Sequence, residues 1–315
     1  MTPVPTPVPS PPAADPPEIT ADLVRRLVAE QLPHLAGRAV TPVPRQGWDN
    51  RTFRLGDDLT VRLPSAAGYV AAVEKEDRAL PLMAAHLPVP VPVPVATGRP
   101  SAAFPFPWSV RRWIDGEPLD HARDVDRDGL ARDLAAFLVA LRAVPAADGP
   151  VAGRHSFFRG CHPGVYGDEV AEALVRLGPR VDAAACRAVW QDAVTTAWPG
   201  PPVWFHGDVA AGNLLVAGGR LAAVIDLGTC GVGDPACDLV VAWTFFDAPE
   251  RRELRDAVGL DAATWRRARG WALWKALVTV AGMSGSDRDG GQSRALAAVL
   301  ADPVVGGTVV GRPAG

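Results

Sequence analysis

The chain has 315 residues, 48% of them hydrophobic, with a formal net charge of -3 and a sequence pI near 6.1. That length suits two lobes better than one core. The mild acidity excludes a global basic field for nucleic acid or a membrane surface, so the expected partner is a small molecule.

No window approaches the ~20 apolar residues of a membrane span. The start, "MTPVPTPVPSPPAADPPE", lacks the basic beginning and apolar core of a signal peptide, and a cytoplasmic location is expected. Cys161, Cys186, Cys230 and Cys237 show no CxxC spacing and no neighbouring histidine pair, which speaks for buried thiols and against zinc or a disulfide framework. Arginine carries almost all the basic charge; Lys75 and Lys275 are the only lysines.

Residues 1–18 are proline-rich and aperiodic, as in a disordered tail. A helix is expected from Thr20 to Gln31, with Leu23, Val24, Leu27 and Val28 on one face. The alternation in residues 38–64 then predicts antiparallel strands, with "GDD" as the tight turn between Phe53–Leu55 and Leu59–Leu63. Tyr69 to His86 has a helical pattern, and "PVPVPVPV" at 88–95 is extended because each proline disfavours helix in the residue before it. One more strand at 106–114 and "DGEPL" close a first lobe, taken as residues 19–115.

From residue 128 the pattern turns helical, with Leu130, Leu134, Phe137, Leu138 and Leu141 on one stripe. Helices follow near 168–177, 183–197, after Asp234, at 261–283 and at 293–300. The second lobe spans 116–303 and a flexible tail 304–315. The fold class is α+β: a small antiparallel β-sheet lobe with helices, then a larger, mostly α lobe.

The stretch "VWFHGDVAAGNLLV" (203–216) sets His206, Asp208 and Asn213 on a loop between two short strands, where a rigid scaffold places reacting groups. A solvated turn bonding its own backbone is the alternative. Asp226 ends a further strand-like run, Leu221 to Ile225. A base for an incoming hydroxyl, an asparagine and a second aspartate, in that order, meet the needs of phosphoryl transfer, and oxygen donors suit magnesium. The same template wants a glycine-containing loop over the phosphates, a strand cation and a helix glutamate: Gly47 to Asn50, Arg62 and Glu76 fill these places, with Glu74 near enough to compete.

"HGDVAAGN", "VIDLGTCGVGDPACDL", "GWDN" and "VRLP" resemble the aminoglycoside phosphotransferase family, of protein-kinase-like fold, over residues 20–285. The resemblance implies a small-molecule kinase that moves the γ-phosphoryl group of ATP, with GTP left open, to a hydroxyl of an aminoglycoside or similar alcohol. It implies Asp208 as base, Asn213 and Asp226 as Mg2+ ligands, and His206 as an orienting histidine. It also implies that "SVRRWI", with Arg111 and Trp113, is the hinge that meets adenine. Arg62 departs from the lysine usual in kinases. Asp234 and Asp238 read as helix caps that tie the catalytic loop down. The tryptophans Trp243, Trp265, Trp271 and Trp274 read as core, with Trp271 also a candidate for the acceptor site. For a cationic acceptor the carboxylates are Asp168 and Glu169, or Asp247 and Glu250. A non-catalytic nucleotide binder of the same fold, or a kinase for a non-antibiotic metabolite, is the rival reading.

Overall fold

A computed structural model describes residues 18–302 apart from Arg45 and Trp48. The expected C-terminal tail, all but the last residue of the N-terminal tail, and the tryptophan of the "GWDN" loop lie outside the described residues. Of those described, the residues up to Asp77 with Val93–Trp113 make one compact unit; Arg78–Pro92 and the residues from Ile114 onward make a second.

The first unit begins with helix α1, Ala21–Gln31, which starts where Thr20 caps it: the Leu23 N–H donates to Thr20 Oγ1 at 3.2 Å, meeting one of the donors a helix N-terminus leaves orphaned. Strands β1 (Val40–Pro42), β2 (Asn50–Leu55) and β3 (Leu59–Pro64) follow, then helix α2 (Val70–Ala84), whose residues from Arg78 count with the second unit, β4 (Pro94–Gly98) and β5 (Trp108–Arg112). The antiparallel sheet runs β1-β2-β3-β5-β4. Period-two alternation turns Phe53, Leu55, Val61, Leu63, Trp108 and Val110 into one core with the apolar face of α1. Only the end of the "PVPVPVPV" segment pairs as β4; residues 88–93 carry no regular structure, since proline has no N–H for a ladder.

The second unit adds strand β6 (Glu117–Pro118) and helices α3 (Arg127–Ala143), α4 (Gly167–Leu177) and α5 (Ala183–Val194). Strands β7 (Val203–Phe205), β8 (Leu214–Ala217), β9 (Arg220–Val224) and β10 (Gly231–Gly233) come next. Helices α6 (Val241–Thr244), α7 (Ala248–Val258), α8 (Ala262–Val280) and α9 (Gly291–Ala301) complete it. The sheets are small, β6-β8-β9 and β10-β7, and α8 is the hub, packed on α4, α5 and α9. Three elements differ from the sequence expectation. β6 is two residues long, too short for any periodic signal. β10 is glycine-flanked, which lowers strand propensity, yet it pairs with β7 because Gly231 has no Cβ to meet the Phe205 ring and the Pro150 carbonyl, which would lie 3.0 and 2.9 Å away. α7 reads as polar because only Arg251, Leu254 and Val258 are buried. No helix among the described residues is long and apolar enough to cross a membrane.

Candidate active site

The hairpin β8–β9 sets the spacing of two oxygen donors. Leu214 pairs with Val224, and the Ile225 N–H donates to the Asn213 carbonyl at 2.9 Å, so Asn213 and Asp226 emerge at the same open end. Asp226 has φ 64 and ψ 59, left-handed backbone that only a few side chains tolerate, aspartate among them; such an outlier persists only where its surroundings enforce it. The Asn213 Nδ2 donates to the Asp208 carbonyl at 2.9 Å and, more weakly, to its carboxylate at 3.4 Å. Its amide oxygen is thereby turned away from Asp208.

The loop itself is strapped from below. The buried Asp238 carboxylate accepts the His206 N–H at 2.8 Å and the Gly207 N–H at 2.7 Å, and burial raises its pKa against the pull of those donors. His206 is fully buried: its Nδ1 accepts the Asp208 N–H at 3.1 Å while Nε2 faces the Ile225 carbonyl at 3.0 Å. These contacts assign the proton to Nε2, and the imidazole splints loop to β9. Gly207 has φ 87, and a Cβ there would lie 2.8 Å from Thr229 Oγ1, so the turn demands glycine on both counts. Asp234 caps the following 3₁₀ turn through the Ala236 N–H at 3.0 Å, and its other oxygen meets the buried Arg267 at 2.6 Å. The capping reading of Asp234 holds in this geometry; Asp238 acts on the loop and not on its own helix end.

No motif or periodicity in the sequence points to a partner for Asp208. Lys275, on α8, places its ammonium 3.2 Å from Asp208 Oδ1. Burial pushes the Asp208 carboxyl up, but the Lys275 charge and hydrogen bond, with His206 and Arg159, together outweigh it, so Asp208 ionises below the usual carboxylate range. One compositional signal existed: Lys275 is one of only two lysines in an arginine-rich chain and directly follows Trp274 in "WALWKAL".

In the first unit, Arg62 on β3 meets Glu76 Oε2 at 3.3 Å, while Glu74 is exposed. The same oxygen accepts from Arg111 at 3.0 Å, and Arg111 also reaches Asp77 at 3.0 Å and Ser109 at 3.1 Å. Thr60 pairs with Arg111 and Arg62 with Ser109, which makes the two arginines diagonal neighbours on one sheet face. Arg111, fully buried, is thus a structural partner of Glu76, not a side chain open to a nucleotide. The Trp113 N–H donates to the Asp58 carbonyl at 2.8 Å, and its ring stacks under Arg54 at 4.0 Å. Asn50 is buried at the start of β2 and the Gly47 carbonyl accepts from Arg51 at 2.8 Å; Gln46 ties this loop to Thr52 by donating and accepting at 3.0 and 2.8 Å.

A model of the phosphotransferase enzyme family matches residues 39–271. The chain belongs to that phosphotransferase family. No curated protein matches its sequence. Solved structures do: the GDP complex of wild-type aminoglycoside 2'-phosphotransferase-IIIa is 20% identical with a TM-score of 0.67, covering 89% of this chain and 97% of that one. The macrolide 2'-phosphotransferase apoenzyme from Brachybacterium faecium is 22% identical with a TM-score of 0.61, covering 89% and 97%. An ADP-bound aminoglycoside phosphotransferase is 16% identical with a TM-score of 0.60, again covering 89% and 97%. At these identities the likeness is one of fold, and the fold is kinase-like.

In this phosphotransferase, the expected acceptor residues part company. Glu169 lines a cavity of about 600 Å³ in the second unit with Phe157, Arg159, Tyr166 and Trp274. Trp271 and Trp274 line a small recess with Asp208 and Lys275. Asp168 is exposed in the first turn of α4 and stands apart from both. Asp247 and Glu250 are engaged elsewhere, by Arg127 at 3.5 and 2.8 Å. Among the described residues no group of three or more His, Cys, Asp or Glu side chains is arranged to hold a metal ion. One carboxylate and one carboxamide remain, Asp226 and Asn213, a hard-oxygen pair of the kind magnesium accepts when phosphate and water complete its shell.

Proposed function

We propose that this phosphotransferase is a kinase that transfers the γ-phosphoryl group of a nucleoside triphosphate to a hydroxyl of a small molecule, with its first unit as nucleotide-binding lobe and its second as catalytic and acceptor lobe. The observation that carries this reading is Asp208: a carboxylate on a strapped loop, ionised by Lys275, beside an asparagine that leads through one hairpin to a second aspartate. Asp208 takes the proton as the acceptor oxygen bonds to the γ-phosphorus. The bond from that phosphorus to the β–γ bridging oxygen breaks, and the nucleoside diphosphate leaves with its electron pair. Asn213 and Asp226 would hold magnesium, which when bound offsets the charge of the phosphates. Arg62, oriented by Glu76, supplies a planar fork for phosphate oxygens where kinases use lysine. Positioning and charge supply most of the acceleration in such a site.

Solved structures of similar fold carry GDP, ADP, and ATP with streptomycin, and others are named for aminoglycosides and a macrolide, so the acceptor is stated here only as a small alcohol. The test is release of diphosphate from magnesium-ATP and magnesium-GTP over a panel of aminoglycosides, macrolides and simpler alcohols. Acceptor-dependent release that falls by roughly 10²–10⁴ in Asp208→Asn, with nucleotide binding retained, is expected. Nucleotide binding with no acceptor-dependent release from any of them would favour a non-catalytic binder.

A further inference from the structure

Among the described residues three that are not glycine sit at positive φ: Asp226, and the consecutive pair Phe157 (φ 48) and Phe158 (φ 55). Left-handed backbone disfavours any residue with a Cβ, a bulky one most of all. The turn that enforces it is closed by main chain and by the buried Ser156. The Phe157 N–H donates to the Arg154 carbonyl at 3.1 Å and the Phe158 N–H to the Gly153 carbonyl at 2.8 Å, while Ser156 Oγ accepts the Gly153 N–H at 3.2 Å. The Phe157 carbonyl accepts from the Tyr166 hydroxyl at 2.8 Å and from Arg159 Nη1 at 3.1 Å. None of these bonds uses the Phe157 ring, so glycine would satisfy every one of them with less strain.

Phe158 offsets its strain by packing: it is half-buried and meets Tyr166 edge-on at 6.4 Å. Phe157 does not. It is 54% exposed, and the ring contacts of this region join Phe158, Tyr166, Trp271 and Trp274 while leaving it out. Phe157 lines the cavity of about 600 Å³ instead. There the other aromatic faces are taken, since Tyr166 and Trp274 stack on each other at 4.2 Å and Arg159 lies over Trp274 at 4.6 Å. An exposed ring kept on strained backbone beside a cavity answers to a ligand better than to folding.

We propose that Phe157 sets acceptor specificity by stacking its free face on a flat apolar ring of the acceptor, whose hydroxyl then reaches Asp208. Val278 and Met283 in the same lining suit that ring. Arg159 and Arg176 there are matched by Glu169 and Glu172, so shape and not net charge is what this wall selects. The cavity and the recess of Asp208 share Arg159 and Trp274, which lets one molecule span both. This names the shape of the acceptor and rests on the phosphotransfer reading.

The intact protein with magnesium-ADP bound serves for two measurements. Thermal unfolding of Phe157→Gly is expected within about 3 °C of wild type or above it, because strain is relieved and little packing is lost; a larger fall would mean that the ring holds the fold, and would overturn the proposal. Titration calorimetry compares 2-naphthalenemethanol with 1-heptanol, an open-chain alcohol of similar hydrophobicity. The ring probe is expected to bind more tightly by roughly 2–12-fold, the worth of one aromatic pair. Phe157→Leu should abolish that preference while keeping the affinity for 1-heptanol, and Phe157→Tyr should retain it. No saturable binding of the ring probe, no preference for it, or a preference that survives Phe157→Leu would each overturn the proposal. Diphosphate release with magnesium-ATP separates the two levels. Turnover of acceptors that lack an apolar ring, unchanged in Phe157→Leu, would overturn the acceptor shape and leave phosphotransfer standing; the expected binding pattern with no release from any alcohol would uphold the Phe157 site and count against phosphotransfer.

Discussion

Removing the strap beneath the loop should destabilise the protein by an amount its hydrogen bonds set. Asp238 is 3% exposed and accepts two backbone N–H groups, those of His206 and Gly207. In Asp238→Ala both donors stay buried without a partner, at about 1–3 kcal/mol each, or about 2–6 kcal/mol together. For a unit of this size that corresponds to a melting temperature lower by roughly 4–24 °C. Asp238→Asn keeps one acceptor oxygen and should fall in between. Thermal unfolding followed by circular dichroism measures the order wild type, Asn, Ala, and turnover should follow the same order because Asp208 rides on the strapped segment. An Ala variant that melts within about 2 °C of wild type would refute the reasoning, since two orphaned buried donors cannot cost so little.

Lys275→Met should move the acid limb of kcat/KM to higher pH. The folded Asp208 pKa is lowered against burial by Lys275, so its ionised pair stabilises the fold above the ordinary aspartate range and loses that contribution as pH falls; an unmoved limb would remove Lys275 from this role. Arg62→Ala should weaken nucleotide affinity roughly 10–100-fold, the worth of a charge-assisted hydrogen bond, as read by titration calorimetry. Glu76→Ala should instead lower stability by about 3–5 kcal/mol in denaturant unfolding, because Arg62 and the buried Arg111 lose their common carboxylate. Gly207→Ala should cost about 1–3 kcal/mol through left-handed backbone alone and more through contact with Thr229; a wild-type melting curve would mean that the turn relaxes.

What the sequence disclosed and what it withheld divide along contact distance in the chain. Asp208, Asn213 and Asp226 are near neighbours through a hairpin, so a linear pattern can expose their grouping, and the turn between β2 and β3 shows in "GDD" for the same reason. Lys275 lies 67 residues beyond Asp208 and Asp238 lies 32 beyond His206; neither pairing has a periodic signature. Arg111 is another case. Its place on a strand was legible, but a fully buried arginine is rare, and only the register with Thr60 reveals that its side chain turns toward Glu76. Helix α7 escaped because its charged surface conceals a narrow apolar stripe.

The scarcity of lysine has a practical side. Lys75 is 6% exposed, whereas the Lys275 side chain is 32% exposed, so between the two ε-amines an acylating reagent in the native protein has one accessible target. That target touches Asp208, which turns a general amine reagent into a site-directed label: the mass of one tryptic peptide would report occupancy of the recess, and any compound that enters it would slow the labelling.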